Sequence, residues 1–294
     1  MSPVVERVLT QDDPEFPRQV LRARPQPKVL FARGDLNVLR GRMVAIVGAR
    51  EPSPYGMKIA WEAAQACAGA GLVVVSGMAR GLDAQAHRAA LDAGGLTVGV
   101  LGCGLDVPYP RPNADLRAKI PEQGLLVTEF PAGTRPTEFT FPRRNRLIAA
   151  LAETVLVVEG RPSGGTSNLV HWVMGLGKTV CAVPGRIDEE LADGPNLLIQ
   201  QGATLYREPQ DLFDILKIPA TRRRPRAHAP HAARAELTSA EATLFDLMTP
   251  QPVHVDQLAQ RAAMDAGLLL AALSSLELQG LVRQLPGKHF ALAS

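Results

Sequence analysis

VAIVGAREPSPYGMKIAWEAAQACAGAGLVVVSG, residues 44–77, decides the fold. It opens with four apolar residues that stop at Gly48. A stretch with helical spacing follows, YGMKIAWEAAQACAGAG, and ends on glycine. LVVVSG is a second short apolar run. Two such runs joined by a helix are the unit of a parallel sheet, because parallel neighbours need a crossover of a dozen residues or more. The runs carry no polar alternation, as expected for strands covered on both faces.

The same unit recurs downstream. GLDAQAHRAALDAGG (81–95) reads as a helix, LTVGVLG (96–102) as a strand and NADLRAKI (113–120) as a helix. GLLVTEF (124–130), RNRLIAALAE (144–153), TVLVVEG (154–160), TSNLVHWVMGLG (166–177) and KTVCAVPG (178–185) continue the alternation. The expected class is α/β: an extended Rossmann-like, doubly wound, mostly parallel sheet. Residues 1–42 form a short lead-in packed on the core, with one strand expected at Val29–Ala32, and 43–216 form the core itself. Residues 217–236, KIPATRRRPRAHAPHAARAE, are rich in Arg, Pro and Ala and read as a linker. Residues 237–294 give three helices and a hairpin, a small winged-helix-like domain whose first helix carries a capping box at Thr238 and Glu241. The helix at its recognition position, DAGLLLAALSSLELQG, has Asp265 and Glu277 but no Arg or Lys. That favours a protein-contact or packing role over the reading of a duplex.

Bulk properties exclude several classes. The chain of 294 residues has a net charge of +3, which permits a nucleic-acid partner without requiring one. Cys67, Cys103 and Cys181 lie far apart with no CxxC pair, so neither a metal site nor a disulfide framework is expected. No signal peptide or membrane span is read, and a cytoplasmic location is expected. Aromatics are 4% of the chain, too few for an extended stacking platform. No GxGxxG follows the first strand, and GLGKT (175–179) precedes a strand where a P-loop would follow one. Bound NAD and ATPase activity are therefore not expected, and no cofactor is indicated.

Ligands of open parallel sheets sit beyond the carboxyl ends of the strands. The unusual residues gather there: Gly48 and Arg50; Ser76, Gly77, Arg80, Gly81, Asp83 and His87; then Ser163, Gly164, Gly165, Thr166 and Ser167. Glycine turns before helices suit anions. Arg143, Arg144 and Arg146 in FPRRNRLIAAL (141–151) stand at an expected helix start, where orphan N–H groups already attract negative charge. Either an external anion such as phosphate occupies this place, or the arginines pair internally with Glu129, Glu138, Asp83 or Glu159. Asp83 and His87 share a helix face and either hold a general base or tie the helix to a loop. His171 and Trp172 are read as packing residues, and Phe139 and Phe141 as loop anchors beside the arginines. Arg222, Arg223, Arg224 and Arg226 in the linker are a secondary candidate for a nucleic-acid backbone.

In order, VAIVGAR, SGMARGLDAQAH, GVLGCGLDVPYP, FPRRNRLIAAL, VLVVEG, SGGTSNL, AVPG and GPNLLIQQGA resemble the DNA-processing protein A family (DprA, also called Smf) over about residues 18–206. The family's SGALIT loop is replaced here by SGGTSNLV. The resemblance implies a non-enzymatic, homodimeric protein of natural transformation. It would bind and protect incoming single-stranded DNA and help load the RecA recombinase. It also implies DNA contacts at Arg50, Ser76, Gly77, Arg80, Arg143, Arg144, Arg146 and Lys178. The alternative is a nucleotide-processing enzyme of phosphoribohydrolase type, for which Glu159 and Arg80 would be needed. A weaker option is a winged-helix transcription factor with a ligand-sensing core.

Overall fold

The computed structural model describes residues 6–218, 237–248, 253–279, 281–285 and 287–292. The chain divides into two units, 1–221 and 222–294.

In the first unit the quoted stretch becomes β3 (Met43–Val47), α1 (Pro54–Gly69) and β4 (Val73–Ser76). Around them stand β1 (Glu6–Thr10), β2 (Val29–Gly34), α2 (Leu82–Asp92), β5 (Thr97–Val100), α3 (Ala114–Gln123), β6 (Leu125–Thr128) and α4 (Thr140–Leu151). Then come β7 (Thr154–Val157), α5 (Gly165–Gly175), β8 (Thr179–Ala182), α6 (Asp193–Gln200), β9 (Thr204–Leu205) and α7 (Pro209–Ile215). The strand order is β1-β2-β6-β5-β4-β3-β7-β8-β9. The pairings from β6 through β9 are all parallel, whereas β1–β2 and β2–β6 are antiparallel. The lead-in therefore extends the sheet by two strands, not the one expected from the sequence.

Alternate residues of each strand feed two layers. Met43, Ala45 and Val47 pack with α4 and α5 residues such as Ile148 and Val173. Val44 and Ile46 face α1 and α2. On α1, Ala60, Ala63, Ala64 and Cys67 repeat at helical spacing against Ala86, Ala89 and Ala90 of α2. Small residues on both helices allow close approach, so an added side chain there would overpack the seam.

The chain runs from β3 outward through β4, β5 and β6, then crosses back to β7 on the other side of β3. Strand order reverses at β3, and the loops after β3, β4 and β7 diverge there. This is where an open α/β sheet opens a crevice.

The second unit contains α8 (Ser239–Leu247), β10 (Val253–His254), α9 (Val255–Ala262), α10 (Ala266–Leu278), β11 (Val282–Leu285) and β12 (His289–Leu292). The strands form a three-stranded antiparallel sheet, β10-β12-β11. Thr238 and Glu241 make the expected capping box: the Glu241 carboxylate accepts from the Thr238 backbone N–H at 2.7 Å. Leu244, Leu258, Leu269, Leu273, Leu276 and Phe290 form the core. Leu268 and Leu270 of α10 remain about half exposed, and no basic residue lies on that helix. No helix among the described residues is long and apolar enough to cross a membrane.

Candidate functional site

Helix α4 answers the question raised by its three arginines. It begins at Thr140, four residues before Arg144, because Thr137 and Thr140 bond each other's backbone and hydroxyl groups. Pro142 is tolerated in the first turn, where its missing N–H has no helical partner to lose. Arg144 and Arg146 consequently fall in the second turn on a helix buried on most sides, at 5% and 1% exposure. The anion they meet is internal. Glu129 after β6, its carboxylate buried, accepts from buried Arg146 and, at 3.2 Å, from exposed Arg143. The Arg143 guanidinium also lies 5.5 Å from the centre of the Phe130 ring.

Arg144 reaches under the loops. Its guanidinium donates to the carbonyls of Gly77 and, at 2.6 Å, Val100, at the carboxyl ends of β4 and β5. Asp83 of α2 lies close enough to interact with it, and the Asp83 carboxylate accepts from the backbone N–H of Gly77 at 3.0 Å and of Ala79 at 3.3 Å. Burial raises the Asp83 carboxyl and lowers the Arg144 guanidinium, and the partner's charge opposes each shift. A guanidinium does not give up its proton in proteins, so Arg144 keeps its charge beside the Asp83 carboxyl. Of the two sequence readings of Asp83, the structure realises the tie to a loop.

His87 is also structural. Thr97 Oγ1 donates its one hydroxyl proton to the Val74 carbonyl at 2.7 Å, so it can only accept from His87 Nδ1, 2.6 Å away. The neutral ring therefore carries its proton on Nδ1. Burial pushes the His87 pKa down to about 3.

The loops converge on two adjoining hollows. The first, about 540 Å³, is lined by the loop after β3, the start of α5 and the loops after β7 and β8, including Arg50, Glu51, Arg161, Gly165, Thr166 and Glu190. The second, about 740 Å³, lies over β4 and β5 and is lined by Arg50, Arg80, Arg111, Arg135, Tyr109 and Phe141 among others. Arg50, Phe141 and Arg144 border both, so the hollows form one groove. The Arg50 guanidinium sits 5.3 Å from the centre of the Phe141 ring, and that ring packs 5.7 Å from Tyr109. Gly81, at φ 77°, lets the β4 loop touch the β3 loop: a Cβ there would lie 2.4 Å from the Ala49 carbonyl oxygen. Gly164, at φ 125°, turns the chain into α5.

Of the residues singled out in the sequence, Gly48, Arg50, Gly77, Arg80, Asp83, Phe141, Arg144, Ser163, Gly165 and Thr166 line the groove, whereas Gly81, Arg143, Gly164 and Ser167 do not. Four placements are corrected. Ser76 is fully buried and donates to the Ile46 carbonyl at 2.6 Å, so its hydroxyl is committed to the sheet. Arg146 is committed to Glu129. Lys178 stands before β8, at the amino end of the strands; its ammonium donates to the carbonyls of Ala149, Ala150 and Ala152 at the end of α4, at 2.6–2.8 Å. Phe139 anchors nothing, being 77% exposed, whereas Phe141 packs as expected. His171 is exposed, while Trp172 packs against the core. Arg222, Arg223, Arg224 and Arg226 lie outside the described residues.

Arg111, Arg135 and Arg161 enter the groove without having been singled out; they sit in proline-containing loops that match no motif. Glu159 accepts from the Ser53 backbone N–H at 3.0 Å and from the Ser53 hydroxyl, which holds the start of α1. Burial raises the Cys103 thiol pKa, which keeps it protonated at neutral pH. No group of three or more metal-ligating side chains occurs among the described residues.

Fold and site define a doubly wound α/β protein with an arginine-lined groove at its strand carboxyl ends and a winged helix after it in the chain. More narrowly, the chain belongs to the DNA recombination-mediator protein A family, whose model matches residues 7–217; the DprA winged helix domain matches residues 228–288. It is 35% identical to Protein Smf of Escherichia coli K12 over 97% of this chain and 77% of that one. Its identity to the DNA processing protein DprA of Streptococcus pneumoniae R6 is 40%, over 67% of this chain and 70% of the relative. Among solved structures, DprA from Streptococcus pneumoniae superposes with a TM-score of 0.68 at 38% identity, over 71% of this chain and 73% of that one. DNA processing protein A from Helicobacter pylori, described for its single-stranded DNA binding mode, gives 0.66 at 29% identity, over 72% and 95%.

Proposed function

We propose that this protein binds single-stranded DNA along the groove, holding the phosphate backbone without reading its sequence. The observation that carries this reading is the second hollow, where five arginines converge and no carboxylate is found among the lining residues. Arg50, Arg80, Arg111 and Arg135 are exposed there and present donors to phosphate oxygens. Tyr109 and Phe141 offer ring faces to a base or two beside them. The binding described for the Helicobacter pylori relative supports the reading. From the family we infer the wider role: a homodimer in the cytoplasm that protects incoming DNA in natural transformation and helps load RecA.

Fluorescence anisotropy with a labelled dT oligonucleotide, and its duplex as competitor, tests the core of this. A groove engaging four or five phosphates gives a slope of log affinity against log salt near about −3. The Arg50→Ala/Arg111→Ala variant should lose about ten- to a hundredfold in affinity and flatten that slope. Unchanged affinity with the fold intact would refute the groove as the binding site.

A further inference from the structure

The two halves of the groove differ in charge. The lining of the second hollow carries five guanidinium groups and no carboxylate among the described residues. The first is balanced, with Arg50, Arg144 and Arg161 against Glu51, Asp83 and Glu190. Asp83 is spent on Arg144 and the loop beneath. Glu51 and Glu190 are another matter, because both stand well into solvent. Glu190 engages Arg161 with both oxygens, Nε to Oε1 at 2.8 Å and a terminal nitrogen to Oε2 at 3.0 Å. That two-point contact is the one a guanidinium makes with phosphate. Glu51 holds Arg80 at 3.4 Å, across the border between the hollows.

We propose that Glu51 and Glu190 are built-in surrogates for phosphate, which occupy Arg80 and Arg161 until a polyanion displaces them. The proposal rests on the groove being the DNA site and adds a selection rule to it. The first hollow has the shape of a mononucleotide site: glycine turns, the start of α5 and about 540 Å³ of space. A free nucleotide entering it must outcompete the resident carboxylates alone. A DNA strand is first held by Arg50, Arg111 and Arg135 of the second hollow, and its next phosphates then meet Arg80 and Arg161 at high effective concentration. The carboxylates lower the affinity of both ligands by the same factor, and the polymer, held as well by the second hollow, stays bound where the monomer does not.

The test uses the full chain and the variant Glu51→Gln/Glu190→Gln, which keeps size and one acceptor oxygen at each position while removing both charges. Anisotropy with labelled dT oligonucleotide is measured across salt concentrations, with dTMP and inorganic phosphate as competitors. Exposed ion pairs are weak, so each lost carboxylate should tighten DNA binding by about two- to fivefold. The salt slope should steepen by up to about 0.7 for each arginine set free. dTMP should compete measurably in the variant and poorly in the wild type. Equal affinity, slope and competition in the two proteins would overturn the proposal while leaving the groove assignment standing. Weaker binding in the variant would also overturn it, by making the carboxylates acceptors for bases. Absence of DNA binding by the wild type would end both readings.

Discussion

Arg144→Met separates a structural arginine from a ligand-binding one. The methionine fills much of the stem's volume and removes the guanidinium. The carbonyls of Gly77 and Val100 then lose a charged donor, and the Asp83 carboxylate loses the positive charge beside it. Breaking a buried ion pair from one side costs about 3–5 kcal/mol. At about 2–4 °C per kcal/mol for a unit of this size, the melting temperature should fall by about 6–20 °C. Adding Asp83→Asn removes the stranded charge, so the double variant should be more stable than the sum of the single losses by about 1–3 kcal/mol. Calorimetry and urea titration of the four proteins give the cycle. A loss below about 1 kcal/mol for Arg144→Met, accompanied by loss of DNA binding, would refute the reasoning, since the guanidinium would then serve the ligand and not the loops.

Lys178→Met should destabilise the first unit by about 2–4 kcal/mol in urea titration, because three carbonyls at the end of α4 lose their shared donor. DNA affinity should not change, since the ammonium stands at the other edge of the sheet; a large loss of affinity at constant stability would contradict this placement. For His87, the folded pKa of about 3 lies below the ordinary 6.5, so between these values the unfolded chain binds the extra proton. Stability is then full above about pH 6.5 and falls by about 1.4 kcal/mol per pH unit as pH drops through the window. His87→Gln should remove that component of the pH slope in urea titrations at pH 7, 6 and 5, and an unchanged slope would assign the acid sensitivity elsewhere.

The parallel core was legible in the sequence because its strands are buried on both faces and written as unbroken apolar runs. β1 was not, since only Leu9 of its five residues is buried and ERVLT has no clear alternation. β9 has two residues, too few for any period. The start of α4 was misplaced because the hydroxyl exchange between Thr137 and Thr140 leaves no pattern that separates it from a loop. Which of three nearly adjacent arginines turns inward depends on helix phase, and the phase follows from that start. The groove's general place followed from strand topology and glycine turns. Its membership did not, because Arg111, Arg135 and Arg161 are brought in by loop paths that only tertiary packing specifies.

The pairing of the lead-in with β6 also sets a timetable for synthesis. Phe31 of β2 finds its partner at Thr128, about a hundred residues later, and Val44 of β3 waits still longer for Thr154. At about 5–20 residues per second, the first forty residues leave the ribosome about 5–20 s before the strand that seats them exists. During that interval β2 has β1 to pair with but no β6, and Leu30 and Ala32, later part of the main core, lack their second neighbour. β2 and β3 are therefore strands that gain from being shielded until β6 and β7 are made.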